Sequence, residues 1–211
     1  MINDLNTSTT TAKRCSICHF HPNFCICSAI PRIELNTKVC LVIHASELTR
    51  RSNTGLLALK ALVNSEMRVR GETIKPLDLG DLLTARYRTW LFYPCRDAVE
   101  LTRELVAQEQ TPVQLIVPDG NWRQAGKVHY RHPELKNVQR IMISAPNTSK
   151  FRLRHQHRRE GMATLQAVAH ALGIIEGDPV KDELMKLYQL KLKQSLVVRG
   201  LSGRAENWNW I

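Results

Sequence analysis

Apolar residues in this chain fall into short solid blocks, separated by longer stretches where they recur every three or four positions. Val39-Cys40-Leu41-Val42-Ile43 is the first block. It is continuous and not alternating, as a strand covered on both faces requires. Thr89-Trp90-Leu91-Phe92-Tyr93, closed by Pro94, repeats the signal, as do Val113 to Val117 and Val138 to Ser144. Helical spacing covers Leu56 to Leu62, Asp97 to Gln108 and Arg123 to Tyr130. An apolar helix is predicted over Met162 to Ile175 and an amphipathic one over Lys181 to Gln194. Strands alternating with helices predict an α/β fold with a mostly parallel sheet and flanking helices. The chain has no internal repeat and no G-x-G-x-x-G, so a standard dinucleotide-binding turn is not expected.

Length and composition divide the chain further. The 211 residues, 43% of them hydrophobic, suit one α/β domain with a small appendage. The expected organisation is a flexible tail over 1–12, a cysteine-rich segment over 13–36, a main domain over 37–200 and a C-terminal tail over 201–211. No apolar run approaches the roughly 20 residues of a membrane span. The first dozen residues are rich in Thr, Ser and Asn and lack the apolar core of a signal peptide. A cytoplasmic protein without a membrane anchor or an obligate protein partner is the expectation.

Charge adds a partner. The net charge is +11, and residues 123–160 supply +8 of it through ten Lys/Arg against Glu134 and Glu160. A basic surface so concentrated suits a polyanion, whose phosphates would supply most of the affinity. The stretch is broken by prolines and forms no clean amphipathic helix, so nucleic acid fits it better than acidic lipid.

Four of the six cysteines cluster as Cys15-x-x-Cys18 and Cys25-x-Cys27. Two close thiolate pairs can close a tetrahedral structural zinc site, with His19 or His21 able to substitute for one ligand. Nothing marks the chain as secreted, which disfavours disulfides, and no thioredoxin-like strand precedes Cys15. Cys40 and Cys95 sit in apolar strand-like segments, where buried reduced thiols are the default.

Three predicted strands end in polar, chemistry-bearing residues. Leu115-Ile116-Val117 runs into Pro118-Asp119-Gly120-Asn121-Trp122, which places a carboxylate, a glycine and an indole at a strand's carboxyl end. That is where parallel α/β sheets bind ligands. The plainer alternative is a strand-to-helix turn with Asn121 as N-cap. His44 and Glu47, then Arg50, Arg51, Asn53, Thr54 and Gly55, follow the first strand, and Tyr93-Pro94 closes another. These residues could meet substrate or RNA, or could be helix caps and a solvated His-Glu pair. Further on, Phe151-Arg152-Leu153-Arg154 puts two guanidinium groups on an extended segment, a pattern that clamps carboxylates or phosphates.

Taken in order, Pro118-Asp119-Gly120-Asn121-Trp122-Arg123-Gln124-Ala125, Pro133-Glu134-Leu135, Phe151-Arg152-Leu153-Arg154 and Ala163-Thr164-Leu165-Gln166-Ala167 resemble the DTW-domain proteins. The N-terminal cysteines, His44-x-x-Glu47, Asn53-Thr54-Gly55 and Tyr93-Pro94 fit the same layout, so the resemblance runs from about Arg14 to about Leu196. It implies a tRNA-uridine aminocarboxypropyltransferase that uses S-adenosylmethionine to make 3-(3-amino-3-carboxypropyl)uridine, in bacteria at the variable-loop uridine 47. It also implies a fold related to the SPOUT class, often with a knotted cofactor site. Carried onto this chain, the cofactor would lie against Tyr93, Pro94, Pro118, Asp119, Gly120, Asn121, Trp122 and Thr164, with its carboxylate on Arg152 or Arg154. RNA would meet His44, Arg50, Arg51, Asn53, Thr54, Arg123, Lys127, Arg131, Arg158 and Arg159, and Asp119 would be the general base toward uridine N3.

Three positions depart from the family pattern. Asn121 replaces a Thr, Gln166 a Glu and Phe151 a Tyr. The Asn keeps a capping role, whereas any role needing a charge at 166 is lost. Two other functions stay open beside the transferase: a SPOUT-like RNA methyltransferase, and a non-catalytic zinc-containing RNA-binding protein.

Overall fold

The structure, a computed structural model, describes residues 14–72, 77–144 and 161–201. Its centre is a sheet of β1 (Lys38–His44), β2 (Ser65–Arg70), β3 (Arg88–Phe92), β4 (Val99–Glu100), β5 (Val113–Asp119) and β6 (Gln139–Met142). The strand order is β2-β1-β5-β3-β6-β4, and every pairing is parallel. Around it lie α1 (Gly55–Ala61), α2 (Arg103–Ala107), α3 (Trp122–Arg131), α4 (Thr164–Ile175) and α5 (Asp178–Val198).

The solid apolar blocks become the strands with helices over both faces. Val39, Leu41 and Ile43 of β1, with Leu115 and Val117 of β5 and Trp90 and Phe92 of β3, share one core with α1, α4 and α5. The residues between them, Cys40, Val42, Leu91 and Ile116, pack with Val128 of α3 and with Leu79, Leu82 and Leu135 from single 3-10 turns. Successive side chains of a strand point to opposite faces, so a double-sided core demands an uninterrupted apolar run. Each such Leu or Ile contributes about 1.5–3 kcal/mol by leaving water.

Two strands were not predicted. Among the described residues β2 pairs only with β1, on the sheet's edge, and its residues are half-buried apart from the exposed Met67. Its polar members are held by charge: Glu66 pairs with Lys38 at 3.1 Å, and Arg68 pairs with Asp81 at 2.8 Å. β4 lies inside the stretch predicted as a helix from Asp97 to Gln108. Val99 and Glu100 pair with Ile141 and Met142, and the helix is only Arg103–Ala107, capped by Thr102 Oγ accepting the Leu105 N–H.

The cysteine-rich segment shares the main core. Cys18, Phe20 and Ile26 are buried in the same cluster as Leu184, Leu187 and Leu192 of α5. Lys191 of α5, fully buried, donates from Nζ to the Cys18 carbonyl at 2.5 Å and lies 4.1 Å from the Phe20 ring centroid. Among the described residues, no helix is long and apolar enough to cross a membrane. Both predicted tails fall almost wholly outside the described residues.

Candidate active site and metal centre

The chain leaves β1 toward β2 on one side and leaves β5 toward β6 on the other, so the β1–β5 boundary is a topological switch point. Ile43 and Asp119 are register partners there. The β3–β5 pairing ends at Leu91 and Ile116, and among the described residues β5 runs on past it paired with β1 alone. Pro118, which has no N–H to give, lies beyond the β3 pairing and opposite Val42 of β1.

Asp119 is the hub of this edge, and it is 2% exposed. Its Oδ2 accepts from Asn53 Nδ2 at 2.6 Å, and its Oδ1 accepts from the Thr164 hydroxyl at the start of α4. Asn53 Oδ1 in turn accepts the Leu56 N–H, and Thr54 Oγ accepts the Leu165 N–H at 3.1 Å. One carboxylate thereby ties together the N-termini of α1 and α4 and the end of β5. Gly55 is the residue that permits it: a Cβ there would stand 2.8 Å from both Asp119 Oδ2 and Leu41 Cδ2.

This geometry shows where two groups of expected site residues lie. Asn53 and Thr54, predicted to meet RNA, are 1% and 2% exposed, because their side chains serve the Asp119 hub and the first turn of α4. Asp119, predicted as the base toward uridine, has both oxygens engaged and little access to solvent. A carboxylate held this way orders the residues around it.

The turn after Asp119 follows the plainer alternative in part. Asn121 caps α3: its Oδ1 accepts the Gln124 N–H at 2.9 Å, and Gln124 Oε1 accepts the Asn121 N–H at 2.9 Å. This reciprocal box keeps the capping role that the Thr-to-Asn departure left intact. Gly120 makes room for it, since a Cβ at 120 would lie 2.9 Å from Gln124 Cβ. Gln124 Nε2 then donates to Ser46 Oγ at 3.1 Å, and Ser46 Oγ is 2.9 Å from His44 Nδ1, which links the β5 and β1 loops.

Trp122, at the first position of α3, and Tyr93, just past β3, stand together with ring centroids 6.4 Å apart, tilted by 58°. Tyr93 also stacks on His129 at 5.6 Å and 26°. Pro94 beside it is exposed. The structure thus brings Tyr93, Pro118, Asp119, Gly120, Asn121, Trp122 and Thr164 to one sheet edge. Arg152, Arg154, Arg158 and Arg159 lie outside the described residues.

Positive charge collects on one side of this edge. Arg123, Lys127 and Arg131 follow one another at four-residue intervals on α3, which carries no acidic residue. Arg50 is bound to the buried Glu47 at 3.4 Å, and Arg51 is exposed. Burial, followed by Arg70 and Lys127, holds the His44 imidazole below its ordinary pKa. Arg70, the register partner of His44, escaped the sequence reading because nothing marked β2 as a strand. Its Nε donates to His132 Nε2 at 3.4 Å, and His132 Nδ1 lies 2.9 Å from Glu134 Oε1, which also accepts the Leu79 N–H. Burial and then Arg131 lower the Arg70 pKa.

The four N-terminal cysteines form a second centre. Cys15 and Cys27 Sγ are 3.4 Å apart, Cys18 and Cys25 Sγ are 3.6 Å apart, and all four lie within 4.8 Å of one another. A tetrahedron with Zn–S arms of 2.3 Å has edges of about 3.8 Å, so the set fits zinc. Four thiolates complete it without a histidine. His21 Nδ1 instead accepts the Asn23 N–H, and His19 takes a positive φ of 60° where the chain turns after Cys18. The Cys18 amide helps to hold the Cys15 thiol down at about 6, whereas burial raises Cys18 and Cys27. Cys95, Asp97 and His129 also bring ligand atoms within 4.8 Å, but Arg140 donates to His129 Nδ1 at 3.4 Å and places a guanidinium against any cation there.

Comparison with known proteins gives relatives of one name. The chain is 27% identical over 174 residues to tRNA-uridine aminocarboxypropyltransferase 2 of Drosophila melanogaster, covering 79% of this chain and 68% of that protein. The proteins of the same name from Macaca fascicularis and Mus musculus are 24% and 23% identical. Those matches cover 78% and 77% of this chain, which spans 58% and 56% of their length. A solved structure, the SAM-dependent rRNA:acp-transferase Tsr3 from Vulcanisaeta distributa, aligns with a TM-score of 0.46 at 18% identity, over 80% of this chain and 82% of that one. The DTW domain family model matches residues 12–196, and the chain belongs to that family.

Proposed function

We propose that the protein transfers the 3-amino-3-carboxypropyl group of S-adenosylmethionine to N3 of a tRNA uridine, with methylthioadenosine leaving. The observation that carries this reading is the family's motif order folded into one sheet edge, where the Asp119 hub ends β5 and the paired rings of Tyr93 and Trp122 follow β3 and β5. The relatives' shared name supplies the reaction class.

S-adenosylmethionine supplies a sulfonium whose arms can each be transferred, and the carbon aligned with the nucleophile decides the product. Tyr93 and Trp122 offer the apolar faces for its adenosine, and the backbone of Pro118 to Gly120 borders the same space. Asp119 acts here as a positioning residue: through Asn53 and Thr164 it holds α1 and α4 against the end of β5. Arg152 and Arg154 are suited to the amino acid carboxylate by charge. Arg123, Lys127 and Arg131 face the tRNA phosphates, together with Arg51 and Arg70. Zinc on Cys15, Cys18, Cys25 and Cys27 would be structural, with no open position for substrate.

The test is incubation of unmodified tRNA with the protein and S-adenosylmethionine, followed by nucleoside mass spectrometry. Aminocarboxypropyl transfer adds about 101 Da, and methyl transfer from the same sulfonium adds about 14 Da. A gain of about 14 Da, or tRNA binding with no mass gain, refutes the assignment.

A further inference from the structure

Tyr130 of α3 is a side chain to which the proposed transfer reaction gives no role. It is 71% exposed, the most exposed of the large hydrophobic side chains among the described residues. Its surroundings are built to hold it. His129 packs edge-on to Tyr130 at 5.4 Å and 71°, and is itself stacked on Tyr93. Arg140 fixes the His129 ring by donating to Nδ1, and is anchored by two 2.7 Å hydrogen bonds to the Lys136 and Val138 carbonyls.

Gly126 is the second, independent sign. Glycine inside a helix is unfavourable by roughly 1 kcal/mol relative to alanine. A Cβ at 126 would stand 2.8 Å from the Tyr130 hydroxyl and 3.1 Å from that of Tyr93. The helix forgoes a side chain so that two tyrosine hydroxyls can lie over its backbone. The third sign is charge. Lys127 and Arg131 flank Tyr130 in sequence, and like charges four residues apart repel along α3. A polyanion removes that repulsion, and a flat ring amid the same charges suits an unstacked base of that polyanion.

We propose that Tyr130 is a stacking platform for an unpaired nucleobase of the RNA substrate, seated on the shelf formed by Gly126, His129 and Tyr93. The proposal rests on the reading of the substrate as RNA. A base displaced from its own stack finds on Tyr130 a replacement for the lost contact. The lysine and arginines beside it hold the adjoining phosphates.

The experiment measures the affinity of the full chain for unmodified tRNA across a salt series, for the wild type and for Tyr130→Ala, Tyr130→Phe, Tyr130→Trp and Arg131→Gln. Melting temperatures, S-adenosylmethionine affinity and aminocarboxypropyl transfer are measured on the same samples. Tyr130→Ala is expected to bind tRNA about 5- to 100-fold more weakly with an unchanged salt slope, because stacking releases no counterions. Phe and Trp are expected to restore binding, and Arg131→Gln to lower the salt slope by about one. Wild-type affinity in Tyr130→Ala, or a Phe variant as weak as the Ala variant, overturns the proposal. If the wild type binds tRNA through Tyr130 but transfers nothing, the transferase reading fails and the platform stands. If transfer proceeds and the Tyr130 series is flat, the reverse holds.

Discussion

Replacing Gly55 by Ala tests the idea that the active-site edge is set by packing around one carboxylate. The new Cβ would approach Asp119 Oδ2 and Leu41 Cδ2 to 2.8 Å each. Carbon contacts normally settle at about 3.5–4.0 Å, so the overlap with Leu41 Cδ2 approaches 1 Å, and the Asp119 oxygen is crowded by the same Cβ. Neither neighbour can withdraw. Leu41 is fully buried in a strand paired on both sides, and Asp119 is fixed by Asn53 and Thr164. Overpacking of this kind costs about 1–3 kcal/mol, whereas the smaller entropy of an alanine chain returns about 0.4–1 kcal/mol. The net expectation is destabilisation by about 1–2 kcal/mol, which lowers the melting temperature by about 2–8 °C in a chain of this size. The assay is denaturant unfolding with thermal melting, alongside transfer activity, which should fall as Asp119 is displaced. Gly200→Ala is the control: it meets nothing within 4 Å and carries only the strain of its positive φ of 74°. If Gly55→Ala is as stable as the wild type and fully active, the hub is soft and the packing argument is wrong.

Three further outcomes follow from the same geometry. Asp119→Asn keeps one acceptor but sets an amide donor against Asn53 or Thr164; it should lose about 1–3 kcal/mol of stability by chemical denaturation and most transfer activity, whereas a stable and fully active variant would show that the carboxylate holds nothing in place. Metal analysis should find one zinc per chain, Cys25→Ser should lose it, and chelation should lower the melting temperature of the wild type; a zinc-free protein with unchanged stability would rule out a structural metal. Arg70→Gln should reduce the salt slope of tRNA binding by about one and leave S-adenosylmethionine affinity unchanged, and an unaltered slope would remove Arg70 from the RNA surface.

How much of this was legible in the sequence depended on whether a residue's neighbours were local. β1, β3 and β5 could be read because a strand buried on both faces must be apolar throughout, and that is visible without knowing the partners. β2 could not, since Glu66 and Arg68 are tolerated only through Lys38 and Asp81, which lie on other elements. The stretch from Asp97 to Gln108 has helical spacing, yet Val99 and Glu100 go to β6, 42 residues further on by the register with Ile141 and Met142. Long-range pairing outweighed local preference there. At the site, Asp119 and Trp122 announced themselves by their position at a strand end. Asn53 and Thr54 read as substrate or RNA contacts or as helix caps, and only the fold showed that their partners are Asp119, 66 positions away, and Leu165. The capping of α3 by Asn121 was local and was therefore foreseeable.

The ammonium of Lys191 beneath the cysteine centre has a consequence for how the molecule can be taken apart. A fragment starting at β1 would strip α5 of the carbonyl and the aromatic ring that accommodate this charge, and would open the core where Cys18, Phe20 and Ile26 sit. Loss of metal would be felt at the opposite terminus of the chain. The cysteine cluster is thus a clasp on α5, and an oxidant or chelator acting at residues 15–27 reaches, through Lys191 and the shared core, the helix that packs on α4 and hence the Thr164 end of the Asp119 hub.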